Sequence, residues 1–257
     1  MSSKNLLIAS LASTAMITAG ASSATTLINV DFHKAANEGI ILNNGGQVDL
    51  DFSESSALYV GAGATGSAGD IWNQIEPELG QTGDPLYENS FSSLVDSTGA
   101  ATSVGLDTGN LFSFSKNAAD FGSPLNDLMR DYAFVNPFVT NGATGTATIT
   151  GLNAGDTYTL YLYGVSDSAS QDTFFDVAGA NQAQQLVTSP DLNGPLTLTD
   201  DFVVYTGTVG SAGEIEITVS SSFFAGFNGF QLEVVPEPSS LALIGLGGLL
   251  VARRRRG

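Results

Sequence analysis

Few kinds of residue in this chain could do chemistry. Residues 61–66, GAGATG, match the G-x-G-x-x-G spacing that lets a backbone approach a pyrophosphate. A dinucleotide site needs that loop to open a helix whose N-terminus receives the phosphates. Here the chain runs on as SAGDIWN, with no helical pattern, so the stretch reads as a flexible loop. His33 is the single histidine, which removes His-rich metal sites and two-histidine mechanisms. A Ser–His–Asp triad built on it lacks the support of a G-x-S-x-G elbow. Cysteine is absent, so thiol catalysis, iron–sulfur clusters, Cys-ligated zinc and disulfide bracing are excluded.

Carboxylates, in contrast, are plentiful. Two of them at glycosidase separation would make a secreted glycoside hydrolase, although coincidental pairs are expected among 26 acidic residues. The stretches DSASQD (167–172) and LTDD (198–201) offer the oxygen ligands that a structural calcium ion takes. Neither forms a D-x-D-x-D-G loop, and such clusters are more often solvated turns. No metal ligand and no cofactor is assigned. Trp72, the sole tryptophan, stands in GDIWNQ (69–74) beside Asp70, Asn73 and Gln74. An exposed ring flanked by polar groups suits sugar stacking, so Trp72 is a candidate carbohydrate contact. Its alternative is ordinary burial, the commoner use of a large aromatic.

The charge narrows the partners. Between Thr25 and Pro238 three basic residues, Lys34, Lys116 and Arg130, face all 26 acidic ones, a net charge of −23. Such a surface repels phosphate backbones, so nucleic acid is not an expected partner. It suits solubility and contact with a neutral or cationic polymer.

Positioning falls to strands. TLINVDF (26–32) and QVDLDFS (47–53) alternate apolar and polar residues with the period of two that a half-buried strand requires. TATIT (146–150), YTLYLYG (158–164), DTFFDVA (172–178), FVVYTGTV (202–209), EIEITVS (214–220) and GFQLEVV (229–235) follow, separated by Gly- and Asn-rich turns. One helix is expected, over 123–134, where Leu125, Leu128, Met129 and Tyr132 share a face. No βαβ alternation is present, so the fold class is all-β, an antiparallel β-sandwich over residues 25–234. The stretch 149–164 resembles the corner of fibronectin-type sandwiches, with Leu152 plugging the core and the Tyr158 hydroxyl tied back to the turn. A plain hairpin is equally open there. The length favours a jelly-roll over a single fibronectin-like repeat.

Both ends read as targeting segments. Residues 1–24 carry Lys4, an apolar run from Leu6 to Ile17, and small residues up to Ala24, where signal peptidase would cleave. At the other end, residues 235–257 read VPEPSSLALIGLGGLLVARRRRG. As a helix, the apolar part reaches roughly 18–23 Å, short of a hydrocarbon core of about 30 Å. A short transmembrane helix is expected there. Arg253, Arg254, Arg255 and Arg256 would remain cytoplasmic, leaving the ectodomain outside.

Pro236-Glu237-Pro238, the apolar helix and the terminal arginines, in that order, resemble the PEP-CTERM sorting signal of Gram-negative and related bacteria. The resemblance covers about 22 residues and implies several things. The chain would be exported by the general secretory route and parked in the membrane through its C-terminal helix. It would then be cut at or near Pro236, Glu237 and Pro238 by an exosortase, a cysteine transpeptidase-like membrane enzyme. The family is associated with exopolysaccharide and biofilm matrix. The expected protein is thus a non-enzymatic surface or matrix protein, with a carbohydrate-binding module and a secreted hydrolase as the alternatives.

Overall fold

β-Branched and aromatic runs become fifteen strands among the residues that the computed structural model describes, namely 24–32, 59–60, 63–77, 89–115, 128, 131–135, 144–164, 172–188, 198–221 and 225–237. In chain order these are β1 (Thr26–Phe32), β2 (Tyr59–Val60), β3 (Ile71–Ile75), β4 (Ser90–Phe91), β5 (Gly105–Asp107), β6 (Phe112–Ser115), β7 (Asp131–Val135) and β8 (Thr144–Thr150). They continue as β9 (Thr157–Tyr163), β10 (Thr173–Val177), β11 (Gln185–Val187), β12 (Phe202–Thr208), β13 (Ile215–Ser220), β14 (Ala225–Phe227) and β15 (Gly229–Val235).

One six-stranded sheet has the order β12-β9-β15-β1-β3-β2, a second the order β11-β10-β13-β8-β5-β4. A three-stranded sheet, β14-β7-β6, joins them. Strand pairing is antiparallel as expected, with one departure: β1 and β3 run parallel, from Val30 opposite Asn73 to Phe32 opposite Ile75. Ala24–Glu237 forms a compact unit.

Period-two alternation sends one face of each sheet into a single shared core. Ile28, Val30, Leu160 and Leu232 enter it from the first sheet, and Ile149, Phe175, Ile217 and Val219 from the second. Phe227 of β14 sits where all three sheets meet. Its ring makes T-shaped contacts with Phe32 at 4.8 Å and Phe175 at 5.2 Å, each worth about 0.5–1.5 kcal/mol beyond burial. Tyr205 of β12 crosses the core to donate to the carbonyl of Phe175 on β10, and its oxygen accepts from the Gln185 amide at 2.9 Å. Two layers sharing one core make the domain a β-sandwich.

One local expectation is corrected. Residues 131–134, the end of the expected helix, belong to strand β7, which pairs with β6 on one side and β14 on the other. Leu128 is buried with a helical backbone, and the remainder of 123–130 lies outside the described residues. Two flanking strands offer the backbone a full set of partners, and that tertiary gain overrides a short apolar periodicity. At residues 151–156, where a corner and a hairpin were both open, the turn does not close a hairpin. β8 and β9 lie in different sheets, so the turn carries the chain across the sandwich. Leu152 packs on the core, as expected of a corner. The Tyr158 hydroxyl points to β12, where a Cβ on Gly207 would lie 2.5 Å from it.

The β12 edge of the first sheet is blunted by residues 181–185. The Asn181 backbone N–H donates to the Thr206 carbonyl at 2.8 Å, and the Thr206 N–H donates to Gln182 Oε1 at 2.8 Å. Gln185 Nε2 donates to the Val204 carbonyl at 2.7 Å. These groups take the positions of a neighbouring strand and remove a template for edge-to-edge association.

Candidate functional site

On the first sheet, several polar residues of the alternating strands do not face water. On the first sheet's second face, register places Gln231 of β15 between Asn29 of β1 and Tyr161 of β9. Asn29, Tyr163 and Gln231 are fully buried. Gln231 Nε2 donates to Asn29 Oδ1 at 2.8 Å, and Asn29 Nδ2 donates to the Ile71 carbonyl at 3.0 Å. Asn73 continues the chain of amides, donating to the Asn29 and Val95 carbonyls at 2.8 and 2.9 Å. Tyr163 donates its hydroxyl proton to Gln231 Oε1. Burial pushes that phenol well above the ordinary tyrosine value, so it stays a neutral donor.

The glycine-rich stretch is bonded onto this network. The Ala64 N–H donates to the Tyr163 hydroxyl at 2.7 Å, and the Thr65 N–H to Gln231 Oε1 at 3.1 Å. Gln231 Nε2 returns a bond to the Thr65 carbonyl at 3.0 Å, and Thr65 Oγ1 donates to Glu233 Oε1 at 2.7 Å. A Cβ on Gly63 would lie 2.2 Å from Gln231 Oε1, so only glycine admits this approach. The expectation of a flexible loop is corrected over 63–66, which is pinned to the sheet. The loop leads through a turn, in which Ser67 Oγ donates to Asp70 Oδ1 at 2.7 Å, into strand β3. It opens no helix, and the phosphate-binding geometry is not built.

Trp72 is fully buried on β3, with its ring 6.2 Å from that of Tyr163. A sugar cannot stack on a ring with no exposed face. That assignment is corrected: the Trp72 side chain has no exposed surface and packs inside the protein beside Tyr163. Of the calcium candidates, Leu198–Asp201 forms a turn in which the Thr199 N–H donates to the Phe202 carbonyl at 2.7 Å and the Gly164 N–H to that of Asp201 at 3.0 Å. Residues 167–171 and His33 lie outside the described residues. Among the described residues no group of three or more His, Asp and Glu is placed to hold a metal ion.

The first residues of the C-terminal motif, up to Glu237, are part of the domain. β15 pairs with β9 to its last residue, Val235 opposite Thr157, and Thr157 Oγ1 donates to the Val235 carbonyl at 3.4 Å. Two residues on, the Glu237 N–H donates to Asp156 Oδ1 at 3.1 Å. Asp156 is almost fully buried, and its Oδ2 accepts from Asn153 Nδ2 at 3.1 Å. The neighbouring Gly155 adopts φ +94°, and a Cβ there would lie 2.8 Å from the Glu237 carboxylate. Nothing in the sequence relates positions 156 and 237. The pairing of β9 with β15 brings them together. Pro238 and Arg253 to Arg256 lie outside the described residues, while Ala24 is exposed just before β1. Among the described residues no helix is long and apolar enough to cross a membrane.

No curated protein matches the chain. Two solved structures are distantly similar. An exo-beta-1,3-galactanase from Phanerochaete chrysosporium, crystallised with galactose, is 16% identical with a TM-score of 0.27, over 60% of this chain and 35% of its own. The enzymatically active domain of tailspike protein 4 of bacteriophage CBA120 is 15% identical with a TM-score of 0.25, over 63% of this chain and 20% of its own. The chain thus spans about a third and a fifth of those two structures, and at such TM-scores the likeness carries no argument. The family comparison is specific by contrast: residues 234–256 match the PEP-CTERM protein-sorting motif, and the chain carries that motif from the end of β15 onward.

Proposed function

We propose that this chain is the precursor of an exported, non-enzymatic surface or matrix protein, processed at its C-terminus. The sorting motif at 234–256 carries the reading, because it implies export and recognition by an exosortase. Signal peptidase removes residues 1–24, cutting after Ala24. The apolar stretch before Arg253 to Arg256 holds the precursor in the membrane, arginines inward, until the exosortase cuts at or near Pro236, Glu237 and Pro238. The mature protein is then the β-sandwich, at the cell surface or in an exopolysaccharide matrix, with no cofactor. The internal bonding of Asn29, Tyr163, Gln231 and Thr65 supports a structural role for the domain's polar face. Its donors and acceptors serve one another.

Intact mass of the mature protein, from producing cells with and without a functional exosortase, tests the reading. Loss of the residues after the Pro-Glu-Pro region only in the presence of the enzyme is the expected result. A C-terminus ending in Arg256-Gly257 in both strains would overturn it.

A further inference from the structure

Proline has no backbone N–H, so the triplet Pro236-Glu237-Pro238 owns a single backbone donor, that of Glu237. The domain already holds it: Glu237 N lies 3.1 Å from Asp156 Oδ1. The residue upstream of the triplet is held too, since Val235 is the last ladder position opposite Thr157 and its carbonyl accepts from Thr157 Oγ1. Gly155 supplies a seat for the Glu237 carboxylate that any side chain would fill. Asp156 is kept in place independently of the tail, by Asn153 Nδ2 at 3.1 Å. Its own backbone carbonyl accepts from the Val209 N–H at 2.8 Å.

A membrane enzyme that cuts a peptide takes it as an extended strand and bonds its backbone groups. Here the Glu237 N–H and the Val235 carbonyl are occupied by the folded domain, which stands immediately upstream of the Pro-Glu-Pro triplet. We propose that Asp156, at the β8–β9 turn, is a positioning residue that clamps the sorting motif. Cleavage by the exosortase then requires Glu237 to leave Asp156. This inference rests on the exosortase reading above. The competent fraction of the precursor is the fraction whose tail has peeled from the turn, and the rate of processing scales with it.

The test is pulse-chase processing of the full-length chain in exosortase-bearing cells, read by intact mass. Three variants are compared: Asp156→Ala, Asp156→Asn, and a four-residue Gly/Ser spacer inserted between Val235 and Pro236. One hydrogen bond lost from the held state predicts processing faster by about threefold to tenfold in Asp156→Ala. The spacer, which moves the motif off the turn without touching the domain, gives a similar rise, and combining the two adds nothing. Asp156→Asn keeps an acceptor oxygen and stays near the wild-type rate. Thermal melts of the detergent-solubilised chains show whether each variant domain is folded. Wild-type processing with unchanged or slower rates in both Asp156→Ala and the spacer chain overturns the clamp and leaves the sorting reading standing. A faster Asp156→Ala beside an unchanged spacer chain also overturns it, since unfolding then explains the gain. No cleavage of the wild-type chain overturns the sorting reading, and the clamp with it.

Discussion

The carboxamide of Gln231 reads the backbone of Thr65 in both directions, accepting its N–H at 3.1 Å and donating to its carbonyl at 3.0 Å. A second copy of the chain could do no better along a strand edge. Residues 166 apart are thereby fixed as firmly as neighbours in a ladder, and Asn29 and Tyr163 bond the same amide.

Removing that amide leaves several buried groups without partners. Gln231→Ala is expected to lower stability by about 2–4 kcal/mol, since each orphaned buried donor or acceptor costs about 1–3 kcal/mol. Thermal denaturation of the secreted domain would read this as a fall in Tm of about 5–15 °C. A Tm within about 2 °C of the wild type would mean that water replaces the amide and that the 63–66 loop is not held as described.

Trp72 gives a direct optical check. As the sole, fully buried tryptophan, it should emit at short wavelength and resist iodide quenching in the folded protein. Trp72→Ala should cost about 3–5 kcal/mol through the cavity it leaves. A variant that folds with unaltered stability but loses affinity for a polysaccharide would reverse the picture, returning Trp72 to the surface.

Gly207 is a matter of space. A Cβ there would stand 2.5 Å from the Tyr158 hydroxyl, within a strand paired along its length with β9. Gly207→Ala is expected to cost about 1–3 kcal/mol by overpacking, despite alanine's lower entropy cost. The double variant Gly207→Ala with Tyr158→Phe should recover part of that loss, because it is the hydroxyl that the methyl meets. Equal losses in the single and double variants would place the strain elsewhere.

How far the sequence could be read follows from the range of each interaction. The strands at 26–32, 202–208, 215–220 and 229–235 were legible because period-two alternation is local and strong. The same alternation misleads about solvent. Asn29 and Gln231 read as outward-facing polar residues, yet both are fully buried because the 63–66 loop is bonded over that face. No local signal announces a cover that arrives from another part of the chain. Residues 131–134 failed for a related reason, since strands β6 and β14 supply pairing that a single segment does not reveal. The parallel pairing of β1 with β3 leaves no composition mark either. The sorting motif was legible because its order and chemistry are contiguous, from Pro236 to Arg256. Its partner Asp156, 81 residues away, was not.

Alkaline unfolding tests the buried tyrosines. Burial pushes the Tyr205 phenol up to about 12 from an ordinary value of 10.0, and burial raises Tyr158, Tyr161 and Tyr163 in the same direction. In the unfolded chain these phenols lose their protons near pH 10, whereas in the fold they keep them. Between those limits the unfolded state binds fewer protons, so stability falls as pH rises. The contribution is complete below pH 10 and is lost as pH climbs toward about 12. Denaturant melts at intervals across that range should show a midpoint dropping steadily above pH 10, and Tyr205→Phe should make the slope shallower while lowering the plateau. The lower plateau follows from the Phe175 carbonyl and the Gln185 amide, which lose their shared partner at a cost of about 1–3 kcal/mol. A midpoint flat to pH 12 would mean that these hydroxyls titrate alike in both states, and the bond across the core between Tyr205 and Phe175 would have to be abandoned.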